Sequence, residues 1–257
     1  MSGASLISVH AEGGVTTLLL DNPPLHLISL ELLHQLLGTL RAVAVDGATR
    51  AVVIGAHEGR AFSAGSDMNE FESFGGDASE RKILFEDLVL RTLAHLPMPT
   101  VAAVDGPALG GGLELALACD LRIARTGVQL GVTESRIGGL AGTGAPRLTK
   151  LIGASRAKQL LFTGDPIDAE LALSWGLVNE VAAEGSALER AQQLAARIAG
   201  RASLSNRLAK ELVDRAVDVP LDAGLMAASV AQQRIFDGPE LAQGVAAFFD
   251  KRQVVFG

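Results

Sequence analysis

A repeated order of two short strand-like runs followed by an amphipathic helix is the feature that most limits how this 257-residue chain can fold. The first copy has apolar runs at residues 6–10 and 15–20, joined by a Gly-Gly turn. A helix follows, with Ser29 expected as its N-cap and apolar residues at helical spacing behind it. A Rossmann-type chain alternates strand and helix one by one. The pattern therefore predicts an α/β fold of another kind.

The same local signals predict the elements further along the chain. Short apolar runs at 51–55 and 100–104 are typical of buried strands. The segment 62–65 reads as the end of another strand, and 81–96 reads as a helix that two prolines stop. Further strands are expected at 121–124, 128–131 and 177–181, and a helix at 113–119. From Ser155 onward the pattern is mostly helical, which is typical of an appended layer used for oligomer contacts.

Composition narrows the class of protein. A hydrophobic content of 48% over this length fits one compact domain with a helical appendage. The net charge of -7 argues against a nucleic-acid partner, which needs a basic surface. No apolar run is long enough to span a membrane and no signal peptide is seen, so we expect a cytoplasmic protein. Cys119 is the only cysteine, and its apolar surroundings predict a small buried side chain.

Two loops of small residues are candidates for binding an anion. They are residues 63–67 and residues 109–112, the second leading into a helix. Small residues let backbone N–H groups face a ligand, and such donors stabilise an oxyanion. Both segments could also be simple tight turns. The glycine run lacks the G-x-G-x-x-G spacing and is not followed by a Walker-type lysine, which makes nucleotide chemistry a weak candidate.

Two glutamates follow these loops. Glu114 lies in the first turn of the helix after the glycine run, and Glu134 lies after a predicted strand. Taken singly, each could be an ordinary carboxylate, one favoured by the helix dipole and the other on a surface loop. Taken with the loops, they would supply an acid, a base and an oxyanion site in one pocket. The histidines show no metal-ligand spacing, and we expect Asp67 to brace its loop.

Ordered blocks of sequence, from about Asp21 to the C-terminus, resemble the enoyl-CoA hydratase/isomerase (crotonase) family. Residues 62–70 resemble its A-G-x-D signature, and residues 108–120 resemble its glycine-rich second signature. Residues 131–148 resemble the region around the second catalytic glutamate, although Thr133 replaces the usual proline. Residues 162–178 and 247–252 resemble the later blocks.

The resemblance implies a crotonase-like spiral of ββα units over residues 1–195 and a helical oligomerisation region over 196–257. It implies an acyl-CoA substrate, no metal ion, no separate cofactor, and a homotrimer or homohexamer. The apolar faces expected to make the subunit contacts contain Leu208, Leu212, Leu221, Leu225, Ile235, Phe248 and Phe249. The catalytic roles fall on Glu114 and Glu134, and the oxyanion hole falls on the amides of Ser66 and Gly111. The residues implied to contact substrate or CoA are Leu25, His26, Ala64, Ser66, Asp67, Met68, Gly111 and Lys251.

Two retained glutamates favour hydration of a 2-enoyl thioester, because an isomerase needs only one carboxylate to move a proton. Isomerisation or another crotonase-type reaction is the alternative, and a non-catalytic acyl-CoA-binding or scaffold protein is the alternative of another class. Asn69 replaces a basic residue often found there, so one CoA contact is lost. Arg136 lies close in sequence to Glu134, and we expect its charge to keep that carboxylate ionised.

Overall fold

The computed structural model describes residues 5–183, 185–254 and 256. Within this part of the chain the strands form a larger and a smaller sheet. The larger sheet has the order β1-β2-β3-β4-β6-β9, with β1 antiparallel to β2 and the other neighbours parallel. The smaller sheet has the order β5-β7-β8. The strands are β1 (Ile7–Glu12), β2 (Val15–Leu20), β3 (Ala51–Ala56), β4 (Thr100–Val104), β5 (Ala108–Leu109), β6 (Leu121–Arg125), β7 (Gln129–Gly131), β8 (Ile167–Asp168) and β9 (Glu180–Ala182).

Helices cover the sheets and form the C-terminal part of the described chain. They are α1 (Leu30–Val45), α2 (Met68–Phe74), α3 (Leu84–Ala94), α4 (Gly111–Leu117), α5 (Gly144–Thr163), α6 (Ala169–Trp175), α7 (Ala187–Ala199), α8 (Ser203–Ala216), α9 (Leu221–Phe236) and α10 (Pro239–Phe249). Short 3₁₀ turns lie at Gly75–Asp77 and Glu134–Ile137, and a π-helical turn lies at Ser79–Ile83. No helix among the described residues is long and apolar enough to cross a membrane.

Both faces of the central strands are buried, which explains their continuous apolar sequences. One face of β3 and β4 packs into the main core with α1 and α3. The other face packs against α7, whose alanines recur at every fourth position. Ala195, within that alanine row, is where we expected the core to end, and the division at residue 195 stays a prediction.

Several local predictions are confirmed. Ser29 caps α1, because its side chain accepts a hydrogen bond from the N–H of Leu32. The hairpin of β1 and β2 forms, and β4 occupies the predicted residues. The predicted helix 81–96 is different, since it begins as a π-helical turn and becomes α3 only at Leu84. The strand expected to end at 62–65 is wrong, because that segment forms only an isolated bridge, from Ser63 to Ala108 of β5.

The parallel strands place several loops at one edge of the larger sheet. The segments that follow β2, β3 and β4 all leave at their carboxyl ends, where ligands bind in sheets of this kind. These segments contain residues 21–29, 57–67 and 105–110. The fold therefore brings the first anion-binding candidate next to the second.

Candidate active site

The loop at Ser66 is fixed by a parallel bridge to Ile28. Its two hydrogen bonds run from the N–H of Ile28 to the carbonyl of Gly65, at 2.9 Å, and from the N–H of Asp67 to the carbonyl of Ile28, at 3.1 Å. In a parallel bridge of this kind, the residue between the two hydrogen-bonded neighbours, here Ser66, directs its own N–H away from the partner strand. The Ser66 amide is therefore directed away from Ile28, as an oxyanion donor requires.

The second loop packs directly against the first. The N–H of Leu109 donates to the carbonyl of Ser63 at 3.0 Å. Gly65 has a φ of +100°, and a Cβ there would lie 2.9 Å from the carbonyl oxygen of Leu109. A side chain at either Gly65 or Gly112 would collide with the facing loop. Gly111 is the first residue of α4, so its N–H has no acceptor inside the helix. These loops can therefore be tight turns and still direct backbone amides toward an oxyanion.

Glu114 projects from α4 to the beginning of α5. It is 7% exposed, and its Oε1 accepts a hydrogen bond from the Gly144 amide at 2.5 Å. Burial raises the pKa of Glu114, while the Gly144 amide and the charge of Arg147 act in the opposite direction. The amide fixes one carboxylate oxygen, which orients the group within the pocket.

Glu134 lies in the 3₁₀ turn after β7, and its side chain lies next to Gly110 of the glycine run. A Cβ at Gly110 would lie 3.1 Å from its Oε1. Its Oε2 is buried, and none of the described residues offers it a hydrogen bond. Burial, and then the nearby charge of Glu114, raise the pKa of Glu134 to about 7. Glu134 can therefore exist in either protonation state near neutral pH.

The expectation that Arg136 keeps Glu134 ionised is wrong. The Nη2 of Arg136 binds Oδ1 of Asp165 at 2.5 Å, and the pKa of Glu134 is raised by burial and by Glu114. Residues two apart on a helical turn point in different directions, so closeness in sequence did not give contact.

The predicted substrate contacts fall into two groups. Leu25, Ala64 and Ser66 are half-buried beside the loop, and the carbonyl of Leu25 accepts from the Ala64 N–H at 2.9 Å. Asp67 caps α2 through the N–H of Asn69, as expected of a bracing residue. Met68 begins α2 and is 53% exposed.

His26 and Lys251 are placed differently from the other residues expected to contact the substrate. His26 is 0% exposed and its Nδ1 lies 2.9 Å from the carbonyl oxygen of Ala61, so its side chain faces the interior. Lys251 is exposed. The C-terminal segment is tied to the amino edge of the larger sheet, because the Nη1 of Arg50 donates to the carbonyl of Phe256 at 2.5 Å, just before β3 begins. The candidate site lies at the opposite edge.

A buried charged cluster beside the site was not predicted. Lys82 is 0% exposed, and its Nζ donates to the carbonyl of Ile28 and to Oε2 of Glu70, both at 2.7 Å. Glu86 is 4% exposed and touches the oxyanion loop, since its Oε2 accepts from the Ser66 hydroxyl at 3.4 Å. The sequence does contain a signal for this cluster. Lys82, Glu86 and Val89 are spaced so that all three fall on the same buried face of a helix.

The arrangement can perform proton transfer beside a polarised carbonyl. The loops of Ser66 and Gly111 pack against each other, and the two nearby carboxyl groups differ in how they are held. Among the described residues, no group of three or more His, Cys, Asp or Glu side chains could hold a metal ion. The chemistry that these residues support is general acid–base catalysis with oxyanion stabilisation.

Comparison with known proteins identifies the family. A family model described as enoyl-CoA hydratase/isomerase matches residues 10–257. A putative enoyl-CoA hydratase from Thermus thermophilus is 38% identical, over 94% of this chain and 96% of the relative. A short-chain-enoyl-CoA hydratase from Clostridium acetobutylicum is 30% identical, over 96% of each protein. The crystal structure of an enoyl-CoA hydratase from Bacillus anthracis superposes with a TM-score of 0.95 at 33% identity, over 98% of this chain and 99% of the other. These likenesses confirm the expected resemblance and fold class.

Proposed function

Because the chain belongs to the enoyl-CoA hydratase/isomerase family, we propose that it is an enoyl-CoA hydratase. The reaction adds water across the C2=C3 double bond of a 2-enoyl-CoA thioester. The observation that most supports this proposal is that the Glu134 carboxyl group packs against Gly110, at the start of the helix that carries Glu114. The reaction needs no cofactor beyond the CoA of the substrate.

In the proposed mechanism, the thioester oxygen accepts hydrogen bonds from the amides of Ser66 and Gly111. These bonds strengthen as negative charge develops on that oxygen. Glu114 removes a proton from water as the water oxygen forms its bond to C3. Glu134 donates a proton to C2, and the proton taken up by Glu114 then restores Glu134. No atom is lost, and the product is a 3-hydroxyacyl thioester.

The two carboxylates suit different steps. Glu114 has one oxygen bound by the Gly144 amide, which leaves the other to orient water. Glu134 has a buried oxygen that no described residue binds, and its pKa of about 7 leaves part of it protonated near neutral pH. A proton donor with a pKa near the working pH is the more effective one. Hydration should therefore slow as pH rises through about 7, because Glu134 then loses the proton that C2 needs.

Isomerisation of an enoyl-CoA is the second candidate. The Oε2 of Glu134, to which no described residue donates a hydrogen bond, favours it, since a single carboxyl group that changes its protonation state easily can carry a proton between two carbons. In that reaction Glu114 would only shape the pocket. A non-catalytic acyl-CoA-binding role is the alternative of another class, and it requires neither carboxylate to transfer a proton.

Absorbance of the conjugated thioester of crotonyl-CoA separates these functions. A hydratase bleaches it, and a binding protein leaves it unchanged. For hydration, we expect Glu114→Gln and Glu134→Gln each to lower kcat by roughly a hundredfold or more with little change in KM. The matched control is Glu72→Gln on the exposed side of α2. Solvent deuterium at C2 of the product reports the Glu134 step separately.

The outcome also identifies the alternative. If Glu134→Gln alone is impaired, and a 3-enoyl-CoA is converted to its 2-enoyl isomer, isomerisation replaces hydration. If both variants match the parent over a panel of short, long, branched and aromatic acyl-CoA thioesters, the catalytic assignment is wrong.

We also propose where CoA binds and which residues a neighbouring subunit contributes to it. CoA is expected along residues 23–26 and 64–66, held mainly by backbone groups, with Lys251 or Arg252 supplied by a neighbouring copy in a homotrimer or homohexamer. The position of the C-terminal segment supports this, because Phe256 is bound at the sheet edge away from the site of its own chain. A cytoplasmic location stays a prediction.

A further inference from the structure

A third buried carboxyl group lies directly behind the proposed oxyanion hole. Glu86 is in the first turn of α3 and is 4% exposed. Its Oε2 accepts from the Ser66 hydroxyl, and a Cβ at Gly111 would lie 2.9 Å from its Oε1. The carboxyl group therefore touches the two residues whose amides are proposed to bind the thioester oxygen. The hydration mechanism assigns it no role.

Within residues 5–183, 185–254 and 256, no charged group forms an ion pair with Glu86. The cation of Lys82, one turn earlier, is bound instead to Glu70 of α2 and to the carbonyl of Ile28. Glu114 of α4 and Glu134 of the 3₁₀ turn face it with like charge. Burial and then Glu114 raise the pKa of Glu86 to about 7, against the opposing influence of Lys82 and the Ser66 hydroxyl.

An ionised Glu86 would oppose the chemistry of its neighbours. The oxyanion hole stabilises negative charge on the thioester oxygen, and a second negative charge behind the same two residues repels it. A protonated Glu86 keeps the contacts with Ser66 and Gly111 and adds no charge. A carboxylic acid kept neutral in this way can also donate a hydrogen bond.

We propose that Glu86 is a positioning residue of the oxyanion hole that supports the enolate-like state only when it is protonated. This inference rests on the proposed function, because it assumes that a thioester oxygen binds at Ser66 and Gly111. It predicts a loss of oxyanion stabilisation at alkaline pH that is separate from proton transfer by Glu114 and Glu134.

The test uses acetoacetyl-CoA, a β-keto thioester whose bound enolate absorbs in the near ultraviolet. Enolate absorbance is titrated from pH 6 to 9 with the parent, Glu86→Gln and Glu80→Gln. Glutamine imitates the protonated carboxyl group at every pH, and Glu80 is an exposed carboxylate on the preceding turn. We expect Glu86→Gln to bind the enolate roughly tenfold better than the parent at pH 8.5, and within about twofold of it at pH 6. Glu80→Gln should follow the parent.

A role in packing alone would give a different result. Glu86→Gln would then follow the parent at every pH while Glu86→Ala lost enolate binding at every pH, and this outcome would overturn the proposal. The proposal would also fail if the parent bound acetoacetyl-CoA without stabilising its enolate. A parent that stabilises the enolate but does not hydrate crotonyl-CoA would contradict hydration alone and leave the Glu86 comparison valid.

Discussion

The site region and the C-terminal helices bury their sequences to very different extents. Around α4 every residue of the helix is buried, and the two loops interlock through glycines. In α9 and α10 large apolar side chains face outward, with Leu225 56% exposed and Phe248 78% exposed. Folding of a single chain thus buries the apolar residues of the site region. It leaves the C-terminal helices with an exposed apolar surface of the kind that marks an interface. Leu208, which we expected in that surface, is only 4% exposed and belongs to the packing of α8 within the chain.

Placing charge on the C-terminal face should remove the assembly altogether, which is the largest effect we expect. In the double variant Leu225→Lys, Phe248→Lys, two exposed apolar side chains become charged at little cost to the single chain. Buried between copies, the same charges would be unpaired. Sedimentation should show the parent as a trimer or hexamer and the variant as a folded smaller species. Val45→Lys, at a site 85% exposed on α1, is the control. A parent that sediments as a stable monomer at micromolar concentration would contradict the comparison.

A methyl group added inside the interlocked loops should have the next largest effect. In Gly112→Ala the new Cβ would lie 2.3 Å from the carbonyl oxygen of Ser63, which is backbone and cannot turn aside. Overpacking of this kind costs about 3 kcal/mol, and the displaced loop should also lower kcat. Gly38→Ala in α1 is the matched control, since nothing lies within 4 Å of the added atom. That change should stabilise by about 0.5–1 kcal/mol through helix propensity. Chemical denaturation measures both, and equal stabilities would show that the loops are not tightly packed.

Replacing Glu86 tests whether a buried carboxyl group in the site region lowers the free energy of unfolding. Its pKa in the folded protein, about 7, exceeds the ordinary pKa of a glutamate, 4.5, so folding is favoured at low pH and this contribution is lost as pH rises from 4.5 to about 7. Relative to the parent, Glu86→Gln should therefore gain about 3 kcal/mol in free energy of unfolding between pH 4.5 and pH 8. Urea titrations at the two pH values measure the gain. No pH-dependent gain, or one equal to that of Glu80→Gln, would mean that Glu86 ionises as easily as a surface carboxylate.

The smallest effect we expect concerns whether the C-terminal residues of one subunit bind CoA at the site of a neighbouring subunit. Neutralising Lys251 and Arg252 together as Lys251→Gln, Arg252→Gln should weaken CoA binding several-fold at low salt and less at high salt, because exposed charges are screened. Lys158→Gln in α5 removes an exposed charge elsewhere and serves as the control. Calorimetric titration with CoA at two salt concentrations gives the answer. An affinity that does not change would remove the C-terminal cations from the proposed site.

Local sequence was sufficient for much of the fold. Ser29 predicted the start of α1, and the apolar run 100–104 predicted β4, because capping and burial of a central strand depend on neighbouring residues. The bridges at Ser63 and Ser66 could not be predicted in this way. Each joins segments that lie far apart in the chain, and their short hydrogen-bonded contacts leave no periodic pattern.

Sequence alone determined the type of fold, the family resemblance and the choice of Glu114 and Glu134 as candidates, because these depend on residue types in a fixed order. The tertiary structure decided what each group can do. It pairs Arg136 with Asp165 rather than with Glu134, and it buries His26 in the interior. It also places Glu86 in contact with Ser66 and next to Gly111. The physical reason is that the pKa of a carboxyl group depends on burial and on charges within a few ångströms. Those neighbours come from α3, α4 and the 3₁₀ turn after β7, which only the packing of the sheets and helices brings together.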